Sequence, residues 1–86
     1  MIIYPNPFNP VATISFSIND NNFAEAELTI YNIKGQMIRH FSISNEQSSI
    51  IWDGMGADHQ PVSSGIYYCR LVNGDTTATK KLVLIK

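Results

Sequence analysis

The side chains able to do chemistry are few and scattered. His40 lies beside Arg39 in a strand-like run and His59 lies in a turn-rich one. Neither is followed by Cys, His or a carboxylate at the spacing a zinc site uses. Asp53 and Asp58 flank glycines, as calcium-loop aspartates do. The regular Asp-x-Asp-x-Asp-Gly pattern with its closing Glu is missing, so both are expected to shape turns. Serines are plentiful, but there is no Gly-x-Ser-x-Gly elbow and no histidine with an orienting acid. The glycines build no phosphate cradle, and no Asn-x-Ser/Thr sequon occurs. Cys69 is the single cysteine, which excludes an intradomain disulfide and with it the buried bridge of antibody-type sandwiches. Placed inside a predicted strand, with no histidine or cationic cluster to activate it, Cys69 reads as a small buried hydrophobe. The expectation is a non-enzyme that holds neither cofactor nor metal.

Arg70 is left with two readings. Between Cys69 and Leu71 in a predicted strand, it is either an ordinary surface residue or a recognition contact.

The elements carrying these residues are predicted to be strands. Val11 to Ile18 alternates, with Ile14, Phe16 and Ile18 on one face and Thr13, Ser15 and Ser17 on the other, the pattern of a half-buried strand. Asn19 to Asn22 is a turn cluster. Ala26 to Ile33 resumes the period of two, Lys34-Gly35 turns the chain, and Gln36 to Phe41 returns it. Ser42 to Ser49 is polar and loop-like. Ser49 to Trp52 is a short strand with Ile50 and Trp52 on one face, followed by a turn-rich connection from Asp53 to Pro61. Ser64 to Lys86 reads as a final hairpin turning at Asn73-Gly74, because both residues tolerate the positive φ of tight hairpin turns. Leu82 and Leu84 face one way, and Lys81, Val83 and Ile85 the other. Ahead of all these, Met1 to Tyr4 is a short β-rich run cut off by Pro5-Asn6-Pro7-Phe8-Asn9-Pro10. Three prolines make that segment a stiff extended loop in which no ladder continues. Asn6 and Asn9 are expected to make local side-chain turns, and Phe8 to pin the loop to the core.

Seven strand candidates and no helical period predict an all-β fold, a small immunoglobulin-like antiparallel β-sandwich, with a β-barrel as the alternative. Trp52 is the natural anchor between sheets. The chain has 86 residues and forms one domain, 1–86. At this size only about 60% of the unfolded surface is buried, so the core is thin. A composition 44% hydrophobic and 15% charged is that of a folded chain. A net charge of −1 without a basic run gives no support to a nucleic-acid or membrane-surface binder. No apolar run approaches the ~18 residues of a membrane span. Met1 leads straight into Ile-Ile-Tyr-Pro without a secretory leader pattern, and the chain is expected to be the tail of a longer protein.

Five stretches occur in order: Tyr4-Pro5-Asn6-Pro7-Phe8-Asn9-Pro10; Ile30-Tyr31-Asn32-Ile33-Lys34-Gly35-Gln36; Trp52-Asp53-Gly54; Ser64-Gly65-Ile66-Tyr67 with Arg70-Leu71; and Lys80-Lys81-Leu82-Val83-Leu84-Ile85-Lys86. Together they resemble the C-terminal sorting domain (type A) of proteins exported by the type IX, or Por, secretion system of Bacteroidetes. The central stretches are also similar to the immunoglobulin-like domain of the flagellar hook-capping protein. The resemblance implies a non-catalytic signal that takes an upstream cargo, joined in cis, through the periplasm and the outer-membrane translocon to the cell surface or medium. It implies as partners the translocon and its shuttle, and a sortase-like protease. It places partner recognition on Gly65, Tyr67, Arg70 and Leu71, and on Lys80, Lys81, Leu82, Val83, Leu84, Ile85 and Lys86. Two departures stand out: Met55-Gly56-Ala57-Asp58-His59-Gln60 replaces the usual acidic-Asn-Gly turn, and Cys69 replaces an aromatic. The last strand is expected to offer an exposed edge to a partner strand, with its lysines deterring self-pairing.

Two other function classes compete. One is a structural or adhesive immunoglobulin-like module of the hook-cap kind. The other is a carbohydrate-binding accessory domain in which Tyr31, Tyr67, Tyr68 and Trp52 stack on sugars.

Overall fold

A computed structural model describes residues 1–16, 26–43, 48–74 and 76–85. Seven strands follow one another: β1 (Ile2–Tyr4), β2 (Ala12–Ser15), β3 (Ala26–Asn32), β4 (Met37–Ser42), β5 (Ser49–Trp52), β6 (Gly65–Asn73) and β7 (Thr76–Leu84). They form a three-stranded sheet in the order β1-β2-β5 and a four-stranded sheet in the order β4-β3-β6-β7, with all neighbours antiparallel. This is the expected sandwich. No helix among the described residues is long and apolar enough to cross a membrane.

The period of two does most of the work. Ala12, Ile14 and Phe16 from one sheet meet Leu28, Ile30, Cys69, Leu71, Leu82 and Leu84 from the other, all buried. Burying each of the Ile, Leu and Phe side chains among them contributes about 1.5–3 kcal/mol, which offsets the chain entropy of so small a domain. Ile18 of the predicted β2 face and the Asn19 to Asn22 turn lie outside the described residues. At the centre, Trp52 is fully buried, with Phe8 tilted against it at 5.4 Å between ring centroids and Tyr67 edge-on at 5.5 Å. Such geometry favours aromatic pairs beyond their buried area. Phe8 is the plug that the sequence suggested.

Turns differ from expectation in one respect. Asn73 pairs with Thr76, so Asn73 is the last ladder residue of β6 and not the first residue of the turn. Gly74, with φ of 60°, supplies the left-handed backbone at the first loop position, which favours glycine. The β3–β4 turn is built by Asn32. Its Oδ1 accepts from the N–H groups of Lys34 and Gln36, its Nδ2 donates to Gln36 Oε1, and Gly35 supplies a φ of 80°.

Candidate functional site

The Pro5–Pro10 segment is a strap across the outer edge of β7. Asn6 Nδ2 donates to the Lys81 carbonyl at 2.9 Å, and Asn6 Oδ1 accepts from the Val83 N–H at 3.0 Å. Phe8 N–H donates to the Val83 carbonyl and the Ile85 N–H donates to the Phe8 carbonyl, both at 2.9 Å. Two expectations are thereby corrected. The prolines remove donors only at Pro5, Pro7 and Pro10, leaving Asn6 and Phe8 free to pair, and Phe8 forms a parallel bridge to Leu84. Asn6 makes no local turn; its amide stands in for a strand backbone. The terminal edge is therefore closed from Val83 to Ile85 rather than exposed along its length.

The strap's far end lies against the Trp52-Asp53-Gly54 turn. A Cβ on Gly54 would stand 2.9 Å from the Pro10 carbonyl oxygen, and Gly54 has a φ of 78°. Asp53 Oδ1 accepts from the Met55 N–H and from Arg39 Nη1, which also donates to the Met55 carbonyl. That carbonyl receives the Trp52 indole N–H as well. Ala57 N–H reaches the Ile38 carbonyl, at the bulge where β4 slips register against β3. Asp58 Oδ1 accepts from the Gln60 N–H. Both aspartates thus shape turns. Among the described residues no three of His, Cys, Asp and Glu come together as a metal site.

The residues proposed for recognition separate by strand parity. Tyr67, Leu71, Leu82 and Leu84 are buried. The Tyr67 hydroxyl donates to the Ser63 carbonyl at 2.6 Å, the arrangement of a tyrosine corner. Their side chains hold the sandwich together and are not displayed. Gly65 opens β6 with a φ of 152°, a backbone that glycine suits. Arg70, Lys80, Lys81 and Ile85 are exposed and Val83 is half-buried. Lys86 lies outside the described residues. Register places Tyr68 opposite Lys81, Arg70 opposite Thr79 and Ile66 opposite Val83, all on the outer face of the four-stranded sheet. Tyr68 is also exposed there, whereas Trp52 and Tyr67, two of the four aromatics suggested for sugar stacking, are buried in the core. Burial pushes the Cys69 thiol up from 9.0 to about 12, so it is no nucleophile at neutral pH.

Charge is distributed unevenly. Of the described carboxylates, Glu27 pairs with His40, Asp53 pairs with Arg39, and Asp58 caps its own turn. Among the described residues, Arg70, Lys80 and Lys81 have no ion-pair partner. Arg70 and Lys81 share the outer face of β6 and β7, and Lys80, opposite Cys69, lies on the other face.

What the sequence missed is the strap's bonding. Asn6 and its partners are 75 and 77 residues apart, and no local pattern announces such a contact.

A family model described as a secretion system C-terminal sorting domain matches residues 2–86. Two solved structures share the fold. One is PorZ, described as an essential bacterial surface component of the type-IX secretion system of Porphyromonas gingivalis. It matches with a TM-score of 0.76 and 21% identity over 99% of this chain and 11% of that one. The other is dimeric latent PorU from Porphyromonas gingivalis, with a TM-score of 0.66 and 19% identity over 98% of this chain and 9% of that one. The chain thus spans about a tenth of either structure's length. No protein with a curated description matches it.

Proposed function

This chain belongs to the family of secretion system C-terminal sorting domains, and from that membership we propose that it is a non-catalytic signal for type IX export. It directs an upstream cargo through the periplasm and the outer-membrane translocon to the cell surface or medium. The observation that carries the reading is the family match over residues 2–86. A structural observation supports it: the strap, the Trp52 turn, the Gly65–Leu71 run and the last strand form one packed unit. In that unit Tyr67, Leu71, Leu82 and Leu84 set the shape. Arg70, Lys80, Lys81, Val83 and Ile85 are the side chains available to the translocon, its shuttle or a sortase-like protease.

The test is export. Residues 1–86 are fused to a periplasmic reporter in a type IX-competent bacterium. Reporter is expected outside the cell, and is expected to remain in the periplasm when Leu82 to Lys86 are removed. A paired Arg70→Glu and Lys81→Glu variant is expected to fold normally and to lower export. A folded fusion held in the periplasm would overturn the sorting reading and favour a structural immunoglobulin-like module.

A further inference from the structure

The strap leaves part of the last strand's edge uncovered, and the hydrogen-bond parity shows which part. Val83 gives both its N–H and its carbonyl to the strap, so both point away from β6. The β6–β7 register runs without a shift from Gly65↔Leu84 to Asn73↔Thr76. Alternation in an antiparallel pair then turns the N–H and carbonyl of Thr77 and Thr79, and the N–H of Lys81, to the outside as well. No described residue bonds to these five groups. They are a short length of unpaired ladder, bounded by the Gly74 turn at one end and by Asn6 at the other.

We propose that the Thr77–Lys81 edge is a docking strip for an extended, carboxylate-bearing segment of a partner, which adds as a fifth strand to the four-stranded sheet. The inference deepens the sorting reading and rests on it for the partner's place in export. Charge selects the occupant. Arg70 and Lys81 are exposed on the outer face beside the strip, and Lys80 is exposed on the opposite face, all three without ion-pair partners among the described residues. A strand with acidic side chains on its outer face satisfies Arg70 and Lys81. A second copy of this chain brings a second set of the same cations and is disfavoured. The strap fixes the register: an added strand must stop short of Val83, whose edge groups Asn6 and Phe8 already hold.

Proline at position 79 discriminates. The Thr79 N–H faces outward, so Thr79→Pro removes an edge donor without removing a β6–β7 ladder bond, a setting in which a strand tolerates proline. Amide exchange on the isotopically labelled chain is followed with a synthetic peptide of alternating Val and Glu. The Thr77, Thr79 and Lys81 amides are expected to exchange roughly tenfold more slowly with the peptide present. That protection is expected to weaken with salt, and Val83 and Ile85 are expected to stay unchanged. A Val and Lys peptide is expected to give none of this. In Thr79→Pro the Thr77 and Lys81 protection is expected to vanish while the Leu82 and Leu84 amides remain protected. Should that variant not fold, Thr77→Pro addresses the same strip.

Unchanged exchange at Thr77, Thr79 and Lys81, or equal protection by the Val and Lys peptide, overturns the proposal. So does protection that grows with protein concentration in the absence of peptide, which assigns the strip to a second copy. The export assay separates the two readings. Normal export of a folded Thr79→Pro fusion, with export still lost on removal of Leu82 to Lys86, overturns the docking strip and leaves the sorting reading standing. Peptide protection of the strip in a domain whose fusion is never exported does the reverse.

Discussion

Asn6 bonds at once to Val83 and to Lys81: its Oδ1 accepts the Val83 N–H at 3.0 Å, and its Nδ2 donates to the Lys81 carbonyl at 2.9 Å. A side-chain amide carries the same donor and acceptor as a peptide unit, so one asparagine extends the sheet by one residue. Replacing it with alanine removes both bonds in an exposed setting. Asn6→Ala is expected to cost about 1–2 kcal/mol in chemical denaturation. It is also expected to speed exchange of the Val83 amide while leaving Leu82 and Leu84 slow. Asn6→Asp retains the acceptor and is expected to keep Val83 partly protected.

Gly54 is required twice over. Its φ of 78° is left-handed, and an added Cβ meets the Pro10 carbonyl oxygen at 2.9 Å. Gly54→Ala is expected to cost roughly 2 kcal/mol or more, since the backbone strain alone is of order 1–2 kcal/mol and the strap must also shift. Thermal unfolding checks this. Gly35→Ala is the control: it shares a left-handed backbone, with φ of 80°, but has open space around it, and its cost is expected to be the strain alone.

Tyr67→Phe removes only the hydroxyl that donates to Ser63. The ring stays edge-on to Trp52. The expected loss is about 1 kcal/mol with the aromatic circular dichroism signal retained, measured by denaturant titration.

Trp52→Ala empties the site where Phe8 and Tyr67 meet. Truncations of buried Trp cost about 3–5 kcal/mol, a large share of the roughly 5–15 kcal/mol that holds a domain together. The variant is expected to be largely unfolded at 37 °C by far-ultraviolet circular dichroism.

Cys69 gives a pH dependence. Its thiol is pushed from 9.0 to about 12 in the fold by burial, so the native state retains a proton that the unfolded chain releases. The stabilisation is complete below about pH 9 and is lost as pH rises toward 12. Denaturation midpoints are expected to fall across that window and to fall less in Cys69→Ala. At pH 8 the native thiol is expected to resist alkylation until the protein unfolds.

Most of the core strands were legible because each buries one face. Ile14 and Phe16, Leu28 and Ile30, Ile50 and Trp52, and Leu82 and Leu84 all occupy alternate positions, and all are buried. That alternation alone separates Leu82 and Leu84 from Lys81 and Val83 in the sequence. The same parity applied to β6 places Tyr67 and Leu71 inside and Arg70 outside. Two features resisted sequence reading for physical reasons. The Asn73-Gly74 pair suits two turn registers one residue apart, and only the β6–β7 pairing places Asn73 in the ladder opposite Thr76. The strap has no periodicity, and its bonds depend on where β7 lies, which is a property of the assembled sandwich. Prolines suggested a loop without partners, although the Phe8 backbone and the Asn6 side chain between them remain free to bond.

The strap also sets how the domain answers to pulling. Phe8 and Leu84 are bridged in parallel, so tension that draws the chain upstream of Asn6 one way and the chain beyond Ile85 the other slides the two segments along each other. The four bonds from Asn6 and Phe8 to Lys81, Val83 and Ile85 then carry the load together, in shear, instead of parting singly as in an unzipping hairpin. Tension along the strap and β7 therefore meets the domain's mechanically strong direction, whereas a force peeling the strap sideways from β7 meets one bond at a time.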